Sequence, residues 1–336
     1  MIIKAASILS EKKDLTALQM KRVMEEIMTG KADTPQIVSF LRALSKKGET
    51  VEEVAVAVRM MRHYAIKIKP DHKVVLDTCG TGGDTKGTFN ISTAAAFVAC
   101  AAGITVAKHG NRSISSFCGS ADILEALGVD INMDKYKIER CLNDVGIAFL
   151  FAQNFHPAMK YVMSARKAIG KRTIFNILGP LSNPAGATHQ LIGVYERRWT
   201  KILALVLKDL GSKHALIVHG EDGLDEITTT GYTYICEVKG GQAHSHKIHP
   251  DDFGIKKTKL ADLIGGSAGD NAAILMDILA GRRSAKRDIV VLNAGAAIYA
   301  ADKASSIGEG IKLAAGAIDS GMAMEKLELL KEYSRK

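Results

Sequence analysis

Three short runs carry most of the chemistry this chain can do. Asp77–Thr93 (DTCGTGGDTKGTFNIST) sets four glycines among hydroxyl residues, between an apolar β-branched run and an apolar helix-forming one. Lys108–Ser120 (KHGNRSISSFCGS) crowds two cations and many donors into one loop, and Asp222–Ile227 (DGLDEI) brings the adjacent carboxylates Asp225 and Glu226. A strand, a glycine-rich loop and a helix in succession predict an anion site. Gly80, Gly82, Gly83 and Gly87 permit positive φ and close backbone approach. Behind them Ser92 or Thr93 is the expected N-cap of a helix whose first N–H groups favour phosphate.

Neither of the two best-known phosphate loops fits. The G-x-x-x-x-G-K-[ST] spacing is absent, and a G-x-G-x-x-G pattern begun at Gly80 and Gly82 meets Thr85 where its third glycine belongs. The following strand ends in Lys108 and His109 rather than in an acidic residue for a ribose hydroxyl. Beside such a loop, Lys108 and its neighbouring hydroxyls can hold a diphosphate from the other side. An isolated Asp–Glu pair is more often a solvated turn, but beside a phosphate site Asp225 and Glu226 suit Mg²⁺, a hard ion that takes oxygen ligands. Asp222 is a weaker candidate. His244, His246 and His249 lie in a glycine-rich connection and are read as a polar hairpin.

These residues need a sheet edge to gather them. From residue 73 the pattern alternates strand and helix: KVVLD, a helix over 93–102, ITVAKHG, a helix over 121–127, then IAFLF, QLIGVY, HALIVHG and DIVVLNAG as further strands. That succession predicts a mainly parallel sheet covered by helices, with ligands beyond the carboxyl ends of the strands. The first 70 residues read as helices only. Thr16 with Gln19 and Thr50 with Glu53 form capping boxes, and Thr34 followed by Pro35 opens a helix between them. Met20, Val23, Met24 and Ile27 fall on one face. Such short amphipathic helices cannot bury all their apolar surface alone. The expected division is therefore a helical domain over 1–70, to which 166–190 can return, and an α/β domain over 71–165 and 191–336.

The chain has 336 residues, is 47% hydrophobic and carries a formal net charge of +9, an ordinary globular composition with a bias toward anionic partners. Only 5% is aromatic, which disfavours a nucleic-acid platform. The longest apolar run is too short and broken to span a bilayer. The start lacks the apolar core of a signal peptide. Five cysteines without a CxxC pair suit a reduced, cytoplasmic protein.

Taken in order, GTGGDTKGTFNIST, KHGNRSISS, HPAM, RTIFNILGPLSNPA, DGLDEI and NAGAAIY resemble the anthranilate phosphoribosyltransferase family of tryptophan biosynthesis, over nearly the whole length. The resemblance implies a small helical domain plus a larger α/β domain, a homodimer formed through the helical domain, and a glycosyltransferase reaction. In that reaction the amine of anthranilate displaces pyrophosphate from C1 of phosphoribosyl pyrophosphate (PRPP), with Mg²⁺ as cofactor. It also implies site residues. Gly80, Gly82, Gly83, Asp84, Thr88, Asn90, Ile91, Ser92 and Thr93 would hold PRPP. So would Lys108, His109, Gly110, Asn111, Arg112, Ser113, Ile114, Ser115, Ser116 and Ser120. Gly80, Asn111 and Arg166 would meet anthranilate, with His109 and His156 lining its access route. Ser92, Asp225 and Glu226 would bind the metal. No residue is assigned as a general base. Two departures from the family pattern, the GKRT link and Asp270 in place of a commoner Glu, leave these positions intact. The alternatives are a pyrimidine nucleoside phosphorylase, which shares the fold, and a catalytically silent relative that binds nucleic acid.

Overall fold

The computed structural model describes residues 1–113 and 118–336. Four helices come first: α1 (Ile2–Ser10), α2 (Ala17–Met28), α3 (Thr34–Lys47) and α4 (Val51–Tyr64). The capping boxes at Thr16 and Thr50 form as expected. At α3 the cap is Asp33, paired with Gln36, one residue before Thr34. A carboxylate outcompetes a hydroxyl there because it accepts the N3 N–H with a full charge at the positive end of the helix.

The strands are β1 (Leu76–Asp77), β2 (Val106–Gly110), β3 (Ile147–Phe151), β4 (His189–Gly193), β5 (His214–Gly220), β6 (Thr233–Lys239) and β7 (Gln242–Ile248). They form one sheet in the order β3-β2-β1-β4-β5-β6-β7. The first five are parallel, while β6 and β7 form an antiparallel hairpin at one edge, the connection read as polar in the sequence. Strand order reverses at β1, between β2 and β4. The crevice outside the carboxyl ends of the strands opens there.

The remaining helices are α5 (Ile91–Ala101), α6 (Ser120–Ala126), α7 (Lys135–Asp144), α8 (Ala152–Phe155), α9 (Lys160–Ile169), α10 (Phe175–Leu181), α11 (Arg198–Asp209), α12 (Ala268–Leu279), α13 (Ala285–Ala300), α14 (Ile307–Asp319) and α15 (Met322–Arg335). DIVVLNAG, expected as a strand, lies within α13. A continuous apolar run fits a buried strand and a buried helix equally well; length decides, and this one extends to 16 residues of helix buried on nearly all sides. Gly295 lets α14 approach so closely that a Cβ there would lie 2.6 Å from Ile311.

The sheet separates two apolar cores. Leu216 and Val218 of β5 face α5, α12 and α13, whereas Ala215 and Ile217 face a second core shared with α11 and the N-terminal helices. Successive strand residues point to opposite faces, so one strand serves both cores. Helix α9 packs on α3, and α10 and α11 pack on α4, so residues 160–181 contribute Val162, Ala165, Ile177 and Leu178 to the N-terminal helical core. Met24 is fully buried in that core. Its stripe is therefore internal, and exposed apolar side chains of the N-terminal helices are instead Ile3 (68%) and Leu18 (57%).

Candidate functional site

The glycine loop begins where β1 stops. Asp77, fully buried, accepts the His109 N–H (3.1 Å) and the Asn183 side-chain amide (2.7 Å), which binds β1 to β2. Burial pushes the Asp77 carboxyl up to about 6, opposed by the positive charge of Lys108. Gly82, Gly83 and Gly87 all adopt positive φ, as does Thr85 (+60°), a strained conformation for a β-branched residue. The loop is tied down on several sides. The Thr81 N–H donates to Gly193 O (2.8 Å) at the end of β4, the Gly265 N–H donates to Gly87 O (2.9 Å), and the Asn90 N–H donates to the Asn271 side chain of α12 (3.2 Å).

Helix α5 starts at Ile91, two residues earlier than expected. Its N-cap position is Asn90, whose side chain makes no capping bond; Oδ1 is buried without a partner, as is Thr93 Oγ1. The Asn90 amide nitrogen donates to Cys118 O (3.2 Å), so the side chain is oriented by that bond rather than by the helix N–H groups. The start of α5 is occupied by a carboxylate from elsewhere: the Ser92 N–H donates to Glu226 (3.2 Å). Lys108 is 3% exposed and donates to Thr78 O (3.3 Å), Thr78 Oγ1 (3.1 Å) and Ser92 Oγ (3.4 Å), which fixes a buried cation beneath the same helix start.

Asp225 and Glu226 follow β5 and stand beside this cation. Burial, then repulsion from Asp84 and a hydrogen bond shared with it, raises the Asp225 carboxyl well above the usual range. Burial, then repulsion from Asp225, does the same to Glu226, with Lys108 opposing. Gly193 makes the arrangement possible, because a Cβ there would lie 1.5 Å from Asp225 O. Three carboxyls gathered beside one lysine leave uncompensated negative charge on hard oxygen donors, and this fits a divalent cation of the Mg²⁺ class. Asp222, by contrast, is used within its own turn, where it accepts from Thr228 (2.7 Å) and Thr230 (2.6 Å).

The loop after β2 is placed less uniformly. His109 and His156 lie together, ring centroids 5.2 Å apart, and each has a buried, unpartnered Nε2. Burial holds both neutral, lowering His109 to about 3 and His156 to about 4. Gly110 admits Ser120, whose Oγ would lie 2.1 Å from a Cβ, and Ser120 donates to Asn111 O (3.4 Å). The Asn111 side chain accepts from Gln153 (3.2 Å). Arg112 is turned toward α6, where it pairs with Asp122 (3.0 Å) and Glu125 (2.8 Å). The Ser113 N–H donates to Asp122 (3.1 Å), and Ile91 is buried with its side chain in the core. Ile114, Ser115 and Ser116 lie outside the described residues. The Arg166 guanidinium, half-buried in the last turn of α9, has no hydrogen-bond or ion-pair partner among the described residues. The thiols of Cys79, Cys100, Cys118 and Cys141 are all pushed up by burial, away from nucleophilic reactivity.

The comparisons with known proteins bear on this geometry. The helical bundle domain of the glycosyl transferase family matches residues 5–65, and the α/β domain of the same family matches residues 72–324. The anthranilate phosphoribosyltransferase of Anaeromyxobacter sp. (strain K) is 52% identical over 330 residues, covering 98% of both chains. The chain belongs to the anthranilate phosphoribosyltransferase family. The enzyme of that name from Clostridium kluyveri is 51% identical over 96% of each chain. The crystal structure of the family member from Thermus thermophilus superposes with a TM-score of 0.94 at 40% identity, covering 99% of each chain. A Saccharomyces cerevisiae family member, solved in complex with PRPP and Mg, gives 0.90 at 27% identity over 99% of this chain and 98% of its own. This family has a small helical domain and a larger α/β domain, and its members are pentosyl-transferring enzymes. Neither the nucleoside phosphorylase nor the silent nucleic-acid binder is favoured by these relatives.

Sequence reasoning missed several residues that shape the site: Thr81, Arg172, Asn183, Gly193 and Asn271. Gly193 alone left a signal, a glycine at the end of an otherwise apolar strand. The others act through partners that lie more than 75 residues away in the chain.

Proposed function

We propose that this chain transfers the 5-phosphoribosyl group of PRPP to the amine of anthranilate, releasing pyrophosphate, in tryptophan biosynthesis. The observation that carries the reading is the junction at the start of α5, where Glu226 meets the Ser92 N–H beside Asp225 and Lys108 beneath the glycine loop. The PRPP-and-Mg complex of the yeast relative supports it. The glycine loop, Ser92, Thr93, Asn90, Lys108 and Ser120 hold PRPP, and Ser92, Asp225 and Glu226 hold Mg²⁺. When bound, that ion neutralises charge developing on the departing pyrophosphate. Lys108 and the N-terminus of α5 act on the same charge from the protein side. Cleavage at C1 leaves an electron-poor ribose, which the amine of anthranilate attacks. An aromatic amine is unprotonated at neutral pH, so the residues here position and exclude water rather than abstract a proton first. His109 and His156, both neutral and with unpartnered ring nitrogens, suit the approach of a planar polar aromatic. A relative crystallised with 4-fluoroanthranilate supports that assignment.

The test is loss of anthranilate fluorescence on mixing the protein with PRPP and Mg²⁺, with an EDTA control. A magnesium-dependent loss is expected; none, from folded protein, would remove the reading. Arg166 is the expected partner of the anthranilate carboxylate. Replacing it with Ala removes a charged hydrogen bond, typically about 1.5–3 kcal/mol, so KM for anthranilate should rise at least about tenfold with KM for PRPP near wild type. Equal changes in both constants would make Arg166 structural.

The division into a helical unit (1–70, with 166–190) and an α/β unit is part of the same proposal. So is a homodimer formed through the helical unit. Ile3 lies on a groove of about 420 Å³ between α1 and α3 that also includes Ala6, Pro35 and Ser39, and a second copy would cover this apolar surface. Ile3→Glu should sediment as a monomer; a persistent dimer would move the interface elsewhere.

A further inference from the structure

Arg172 lies in the short link between α9 and α10, one of the segments built into the helical core, yet its guanidinium reaches the glycine loop. It donates to Gly83 O, stacks on Tyr195 with Cζ 4.0 Å from the ring centroid, and approaches Glu196 at 3.7 Å. Tyr195 is itself joined to the loop, since its N–H donates to Thr81 Oγ1 (3.2 Å). The loop is thus held on one side by β4, through Thr81, and on the other by Arg172, through Gly83. Between these anchors lies Gly82, with φ of +64°, followed by Gly83 with +79°. Two glycines in succession have no side chains to fix their peptide planes, so an external tie must do so.

The tie has a directional consequence. In a trans peptide the carbonyl oxygen and the next N–H lie in one rigid plane and point in opposite directions. Anchoring Gly83 O on Arg172 therefore aims the Asp84 N–H away from Arg172, and Asp84 itself extends to Asp225 at the sheet edge. We infer that Arg172 is a positioning residue. It sets the Gly83–Asp84 peptide so that the loop presents its donors to pyrophosphate, and it couples that orientation to the helical unit. This rests on the function proposed above. The stack on Tyr195 explains why the position calls for arginine: a planar guanidinium can lie on a ring and donate in its own plane, whereas an ammonium cannot do both.

Steady-state kinetics and calorimetric titration with inorganic pyrophosphate and Mg²⁺ test the inference on four variants. Arg172→Ala should raise KM for PRPP and weaken pyrophosphate binding about tenfold, leaving KM for anthranilate within about twofold. Arg172→Lys should fail to restore either. Tyr195→Phe keeps the stack and should match wild type, and adding Tyr195→Ala to Arg172→Ala should cost little more than Arg172→Ala alone. Unchanged pyrophosphate affinity in Arg172→Ala, full rescue by Lys, or parallel rises in both KM values would overturn the inference. If the wild type fails to consume anthranilate, the functional proposal falls, and the pyrophosphate titration still decides the role of Arg172.

Discussion

Asp225→Asn combined with Glu226→Gln should make the magnesium-free protein more heat-stable at pH 8 while removing its activity. Both carboxyls are raised above their unfolded values, by burial first and by crowding with each other and with Asp84 second. A raised carboxyl favours the fold fully below its unfolded pKa, near 4, and that contribution is lost as pH climbs through the raised folded value. At pH 8 without Mg²⁺, above the raised value of about 7 for Asp225, the wild type therefore carries that electrostatic cost. The paired amides carry none of it, and a gain of about 2 °C or more in Tm is expected. Added Mg²⁺ should raise Tm in the wild type and not in the variant. Turnover should fall about 10³-fold or more, the scale on which a lost transition-state charge stabiliser is felt. A variant that keeps its activity and its Mg²⁺ response would take both residues out of the metal site.

Gly193→Ala is the second large effect, at a position with no side chain to do chemistry. Its Cβ would stand 1.5 Å from Asp225 O, so the end of β4 and the carboxylate turn must part by about 2 Å to reach ordinary contact. The same residue's carbonyl accepts the Thr81 N–H, so the glycine loop would shift with it. Misplacement of about 1 Å can cost about 10²-fold in rate, and kcat/KM should drop at least that far with a lowered Tm. Gly316→Ala is the control. It sits in α14 with ordinary φ and open space at its Cβ, so activity should be unchanged and the helix slightly firmer. Equal behaviour of the two variants would show that the close approach at Gly193 does not matter.

What could be read from the sequence was local. The glycine loop, the lysine two residues before Gly110 and the Asp–Glu pair each announce themselves within a dozen residues, because phosphate and metal chemistry demand particular side chains close together. The alternation of strands and helices then brings them to one sheet edge. What could not be read is how the loops lock together. Thr81 finds Gly193 112 residues away, and Asn90 finds Asn271 181 residues away, contacts set by the register of the sheet rather than by any pattern along the chain. Asn90 is instructive. It is a good capping residue two positions before the expected Ser92, yet its amide nitrogen donates to Cys118 O and a carboxylate takes the Ser92 N–H. The helix α13 was misread because an unbroken apolar run carries no period.

The threading of residues 160–181 into the N-terminal helical core has a consequence for the order of events during synthesis. Helices α1–α4 leave the ribosome first, but α10, which covers part of α4, is not finished until Leu181, 116 residues after the helices end near residue 65. At about 5–20 residues per second this is a wait of roughly 6 to 23 s with Ile37, Phe40 and Val58 incompletely covered. The nascent chain should therefore bind holdase chaperones early and release them only once α10 emerges. For the same reason, an isolated 1–65 fragment should be prone to aggregate.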